Sequence, residues 1–166
     1  MRYDSEKLKA FCSAVMESAG LSPAESRDFA ESLVKADMRG ISSHGLTRLK
    51  TYYQRAKDKL VDTGAKPEIV ADMPSLLLVD GKNAMGVSSA VYTMKLCIDR
   101  ARETGCCFAA VKGGNHFGYA AYFAEMAARE GMIGVAMANG PVAIAPIGGR
   151  EPKLGTNPLA VAIPAG

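Results

Sequence analysis

The chain has 166 residues, 48% hydrophobic and 22% charged, with a formal net charge of +3 and no Trp. That is the composition of a soluble globular chain of one domain or two small ones, long enough to bury roughly two-thirds of its unfolded surface. No basic stripe, base-stacking aromatic platform, signal-peptide core or apolar run of the ~18 residues needed to cross a membrane is present, which argues against nucleic-acid and membrane partners and makes the cytoplasm the default location.

The first segment reads as a helix capped by Asp4 or Ser5, with Leu8, Phe11, Cys12, Val15 and Met16 at helical spacing and Gly20 as its left-handed stop. Ser22-Pro23-Ala24-Glu25 opens a second helix: Ser22 caps, Pro23 suits the first helical position, and Glu25 closes a capping box. Phe29, Ala30, Leu33, Val34 and Ala36 form its apolar stripe. A polar, glycine-bearing cluster from Asp37 to Arg48 interrupts the pattern, and a third helix is predicted from near Gly45 to Leu60.

After Gly64 the character changes. Residues 68–71 and 75–79 read as strands on either side of Met73-Pro74, and 80–83 as a turn. A helix is predicted over 87–103, closed by Gly105, then a buried strand over 106–111, an alanine-rich helix over 118–129 and a strand over 132–137. The last apolar segment, 158–164, is a strand with no helix or polar cap after it, and looks cut short. The expected fold class is α+β: an N-terminal three-helix region over 1–64, packed on a mixed sheet with helices over 65–166. Cys12, Cys97, Cys106 and Cys107 form no CxxC pair and are expected to be reduced and mostly buried.

The chain has two histidines, and each sits in a polar, glycine-flanked cluster. Imidazole exchanges protons readily near neutral pH. If His44 and Arg48 lie on the first turns of the third helix, they share a face. A guanidinium fork grips a carboxylate, and a neighbouring imidazole can then move the proton on a C2 oxygen, an arrangement suited to a 2-oxo or 2-hydroxy acid. The plainer alternative makes Ser43 or His44 a helix cap and Arg48 a surface charge. His116 follows a double glycine at a strand-to-helix turn, where partial positive charge favours the neutral ring. It is either a donor or acceptor to a substrate oxygen, or a cap on buried backbone. The run Gly113 to Gly118 does not match the G-x-G-x-x-G fingerprint, and no acidic residue follows at the Rossmann spacing, so a conventional Rossmann site is disfavoured. No metal-ligand set and no nucleophile elbow is present, which leaves a hydrolase reading weak.

Asp37, Arg39-Gly40-Ile41, Ser43-His44-Gly45, Arg48 and Tyr52 or Tyr53, then Asp80-Gly81 with Gly86, Asn115-His116-Phe117-Gly118 and Gly155-Thr156-Asn157-Pro158, resemble the non-Rossmann malate/L-lactate dehydrogenase family in order and spacing. The resemblance implies an oxidoreductase using NAD or NADP, acting on a 2-hydroxy or 2-oxo acid of the malate or lactate type or a related substrate. It implies a non-Rossmann NAD(P)-binding fold and a homodimer. It also implies that His44 is the proton donor or acceptor, Arg48 a carboxylate ligand and His116 a second catalytic or orienting imidazole. Asn139 and the loop of Gly155, Thr156 and Asn157 resemble stretches that line the cofactor site. Family members are roughly twice this length, so the chain looks like an N-terminal half. A small departure is Val87, where the family often has a polar residue. The alternative is a non-catalytic fragment that depends on another chain or on a C-terminal half.

Overall fold

A computed structural model describes residues 3–165. It contains α1 (Ser5–Ser18), α2 (Pro23–Met38), two 3₁₀ turns (Ser42–His44 and Leu46–Arg48), α3 (Leu49–Lys57), β1 (Glu68–Met73), β2 (Leu76–Asp80), α4 (Gly86–Thr104), β3 (Phe108–Lys112), α5 (Ala121–Arg129), β4 (Gly134–Met137) and β5 (Leu159–Ala162). The class is α+β. Among the described residues no helix is long and apolar enough to cross a membrane.

Local chemistry sets the first two helices. The Asp4 carboxylate caps α1 by accepting from the Glu6 and Lys7 amides at 2.8 and 3.0 Å. Ser22 and Glu25 close the predicted capping box on α2, with Pro23 inside its first turn. The apolar stripe of α2 is buried, and with Cys12 and Met16 of α1 it forms the helical core. Phe11, expected inward, is exposed.

The predicted third helix is shorter than expected, and its first turns are not α-helical. Gly45 is extended (φ −89°, ψ −150°) and separates the two 3₁₀ turns. The Asp37 carboxylate, at the end of α2, accepts the Leu46 amide at 2.8 Å. A Cβ on Gly45 would fall 2.1 Å from that carboxylate, so glycine is what lets the chain fold back there.

β1 and β2 form an antiparallel hairpin with a bulge between Ile69 and Ala71, and β3 joins β2 in parallel through α4. Leu77 and Val79 are buried on one face. Met73, Leu76 and Phe108 share the other by register, and that face is open. β3 is therefore not the buried strand expected: Phe108 is 57% exposed. Its apolar run marks an uncovered sheet face, which sequence alone does not distinguish from a covered one. The cysteines are all free, but only Cys12 is fully buried; Cys106 is exposed because it lies in the loop before β3 rather than on a strand.

The chain divides into two compact units, Met1–Tyr119 and Ala120–Gly166. The first takes in both the helical region and the three-stranded sheet. The Asp62 amide donates to Asn83 O at 2.8 Å, joining residues on either side of the expected division after residue 64. In the second unit β4 and β5 pair antiparallel and α5 packs against them. Gly134 touches the helix so closely that a Cβ would sit 2.0 Å from Ala124 O.

Candidate active site

Within the first unit the two histidines meet. The His44 and His116 rings are stacked with centroids 5.7 Å apart and planes 21° apart. They arrive from 72 residues apart in sequence: one at the end of a 3₁₀ turn, the other in the loop after β3.

His44 is half-buried, with Nδ1 2.9 Å from the Ser43 hydroxyl. Arg48 does not reach it as a helical i,i+4 neighbour, which corrects the expected geometry. Arg48 closes the second 3₁₀ turn, and its Nε–H donates to Ser43 O at 2.8 Å, bracing the turn that carries His44. The rest of its guanidinium is exposed and takes no other partner among the described residues. The fork is thus oriented by one bond and open on the other side.

His116 is held from below by Tyr52 of α3, whose hydroxyl lies 2.6 Å from Nδ1. The Gly118 amide donates to the same nitrogen at 3.3 Å. Tyr52 is buried and stands edge-on to Phe29, ring centroids 4.9 Å apart, so the phenol is anchored in the helical core. Asn115, next in the chain, fixes the loop. Its side-chain amide donates to Asn83 O, Asn83 Oδ1 and Ala84 O at 3.1, 2.9 and 2.9 Å. Its carbonyl accepts from Arg55 at 3.2 Å. The Asn115 and His116 carbonyls lie where a Cβ of Gly86 would be, at 2.4 and 2.3 Å, so the loop rests directly on the first residue of α4.

Burial and neighbouring cations set the protonation states. Desolvation, and then the Arg48 charge, hold the His44 pKa below its ordinary value. Desolvation, then His44, Arg48 and Arg55, do the same for His116. Burial pushes the Tyr52 phenol up to about 12 against the pull of Arg48 and Arg55. Burial and the neighbouring cations thus favour neutral imidazoles and a protonated phenol beside the open guanidinium.

The residues that the resemblance put at the cofactor site, Asn139, Gly155, Thr156 and Asn157, lie in the second unit. The Gly140 amide donates to Asn157 Oδ1 at 2.9 Å, and a Cβ on Gly155 would lie 2.3 Å from Gly140 O. Asn139 and Thr156 are exposed beside this contact. The motif in the sequence includes Asp37 and Tyr52 or Tyr53 but assigns them no task, and it leaves out Arg55. The choice of Tyr52 and its task were not legible, because its hydroxyl contact comes from a residue 64 positions away.

The sequence profile of the malate/L-lactate dehydrogenase family matches residues 3–166. The chain belongs to the malate/L-lactate dehydrogenase family. It is 40% identical over 164 residues to a malate dehydrogenase of Pyrococcus abyssi, covering 99% of this chain and 45% of that protein. It is 34% identical over 166 residues to the NAD(+) ureidoglycolate dehydrogenase of Escherichia coli K12, covering 99% and 47%. The solved malate dehydrogenase of Pyrococcus horikoshii OT3 superposes with a TM-score of 0.95 at 38% identity, over 99% of this chain and 47% of that one. The chain thus spans about half the length of the family members it matches, and the two-histidine site falls within that half.

Proposed function

We propose that the protein is an oxidoreductase interconverting a 2-hydroxy acid and its 2-oxo acid with NAD or NADP, and that the His44–His116–Arg48 cluster is its substrate site. The observation carrying this reading is the stack of two imidazoles, both biased toward the neutral form by burial and cations, beside an open guanidinium, in a member of the malate/L-lactate dehydrogenase family. Arg48 takes the substrate carboxylate in its free fork, which places C2 and its oxygen at the imidazole pair. Bound nicotinamide supplies or takes up the hydride at C2. In the oxidising direction neutral His44 accepts the hydroxyl proton as the C–O bond becomes a carbonyl. In the reducing direction the carbonyl π pair moves onto oxygen, and imidazolium His44 returns the proton. The balance is 2-oxo acid plus NAD(P)H plus a proton against 2-hydroxy acid plus NAD(P)⁺.

The cofactor residues proposed are Asn139, Gly155, Thr156 and Asn157. Their support is chemical: an exposed carboxamide and hydroxyl stand on backbones that Gly140 and Gly155 allow into close contact, and such groups pair with another carboxamide. We also assign the family's homodimer as the working form. Its support, shared by the alternative in which this chain acts only with a further polypeptide, is the exposed apolar side chains of β3, β4 and β5, among them Phe108, Met137, Leu159 and Val161.

The test is steady-state kinetics against a panel of 2-oxo acids with both cofactors. Arg48→Ala is expected to raise KM for the 2-oxo acid at least tenfold with a smaller change in kcat, as loss of a charged bidentate contact requires. His44→Ala is expected to lower kcat roughly 100-fold. Unchanged turnover for His44→Ala removes it from proton transfer, and absence of reductase activity across the panel defeats the assignment.

A further inference from the structure

The two nitrogens of His116 are not equivalent. Nδ1 faces the Tyr52 hydroxyl at 2.6 Å and the Gly118 backbone N–H at 3.3 Å. A backbone amide only donates, so a proton on Nδ1 would point at the Gly118 hydrogen. Nδ1 is therefore an acceptor. The buried phenol keeps its proton and, among the described residues, has no hydrogen-bond partner other than His116. A neutral imidazole whose Nδ1 accepts carries its hydrogen on Nε2, the opposite edge of the ring. Among the described residues the charged and titratable groups facing this ring are His44, Arg48, Arg55 and Tyr52, and none of them is a carboxylate that would favour the doubly protonated form.

His44 is held differently. Its Nδ1 meets a hydroxyl, Ser43, that can donate or accept. Among the described residues no other group fixes that nitrogen, so His44 can gain and lose a proton while Ser43 Oγ reorients.

We propose that Tyr52 is a positioning residue that, with the Gly118 amide, locks His116 in its Nε2–H tautomer, making His116 a fixed hydrogen-bond donor to the C2 oxygen and leaving proton exchange to His44. The proposal rests on the substrate-site reading above and divides the labour within it. His116 polarises the carbonyl in one direction and stabilises the developing alkoxide in the other, without itself changing protonation. Tyr52 touches no substrate and acts only through the ring it holds.

Two histidines make the direct measurement simple. The protein is labelled with ¹⁵N-histidine and its ring nitrogens are followed by long-range ¹H–¹⁵N NMR, with His44→Asn identifying the His116 signals. At a pH where both rings are neutral, His116 is expected to be wholly the Nε2–H form; in Tyr52→Phe only the long 3.3 Å Gly118 contact still disfavours Nδ1–H, so the ring is expected to become a mixture of the two tautomers. The phenylalanine keeps the edge-on contact with Phe29, so the thermal midpoint serves as a check that only the hydroxyl contact is gone. This readout needs no activity, so failure of the dehydrogenase assignment and failure of the tautomer lock appear separately. In the enzyme, Tyr52→Phe is expected to lower kcat roughly tenfold with KM nearly unchanged, less than the roughly 100-fold that removing such a donor outright costs. An Nδ1–H tautomer in the parent protein overturns the proposal. So does a Tyr52→Phe spectrum that keeps the Nε2–H form intact, or an unchanged kcat once the tautomer has changed.

Discussion

His44 carries a pH signature whose sign follows from its surroundings. Its pKa lies below the ordinary value because burial and the Arg48 charge both disfavour imidazolium. If neutral His44 is the base for oxidation, kcat/KM for the hydroxy acid rises with pH through a midpoint below the ordinary histidine value of about 6.5. Reduction needs imidazolium, so kcat/KM for the 2-oxo acid falls as pH rises through that same midpoint. Arg48→Ala removes one of the two causes, and the midpoint is expected to move upward. Profiles in both directions on the parent and the variant check this; a midpoint that stays put in Arg48→Ala separates the two residues electrostatically. At this scale the sequence was legible in part. A polar cluster among apolar helices announced His44 and Arg48, but the helical face invoked to join them does not exist, since Gly45 and the Asp37 carboxylate break the helix between them. The link is instead a side-chain bond from Arg48 to the Ser43 carbonyl.

At the scale of elements, the site depends on how the loop after β3 sits on α4. Gly86 opens α4 without a left-handed backbone, so alanine there would be expected to help by up to about 1 kcal/mol through helix propensity. The contacts say otherwise. Its Cβ would lie 2.3 Å from His116 O and 2.4 Å from Asn115 O, and these are backbone atoms that cannot rotate away. Gly86→Ala is therefore expected to destabilise by roughly 1–3 kcal/mol, as overpacking does, and to displace His116 from Tyr52. Urea unfolding with the His116 ring signal measures both. Asn115→Asp makes a complementary test. The carboxylate has nearly the same shape but no donor, and it leaves three acceptors facing an acceptor. A loss of roughly 1–3 kcal/mol is expected despite the nearby Arg55, with an unchanged unfolding curve arguing that the clamp is idle. Helix boundaries at the capping box and at Gly105 were readable from sequence because their signals are local. The Gly86 contact was not, because the atoms that exclude a side chain arrive from about 30 residues later.

For the molecule as a whole, the placement of large and small apolar residues decides what the second unit does. The β4–β5 ribbon has two unlike faces. Gly134, Ala136, Ala160 and Ala162 form the face made of small residues, and Gly134 is in direct contact with Ala124 of α5. By register Val135 pairs with Val161 and Met137 with Leu159, and these larger side chains share the opposite face, where Leu159 is 65% and Val161 56% exposed. A strand alternation that puts its large side chains away from the helix is the reverse of a ribbon meant to face water. A contiguous apolar face of this kind marks a surface that associates. In sequence the same segments read only as strands, since alternation says which residues share a face but not which face is covered. If a second copy supplies the cover, light scattering of the 166-residue chain is expected to give about twice its 17.5 kDa mass at micromolar concentration. Val161→Lys places a charge in the middle of the face while leaving the small-residue side untouched. It is expected to shift the protein toward monomer, at an unchanged thermal midpoint when measured dilute. A parent chain that is monomeric at every concentration, with Val161→Lys indistinguishable from it, would show that these side chains meet no second copy and would overturn the homodimer proposed on this face.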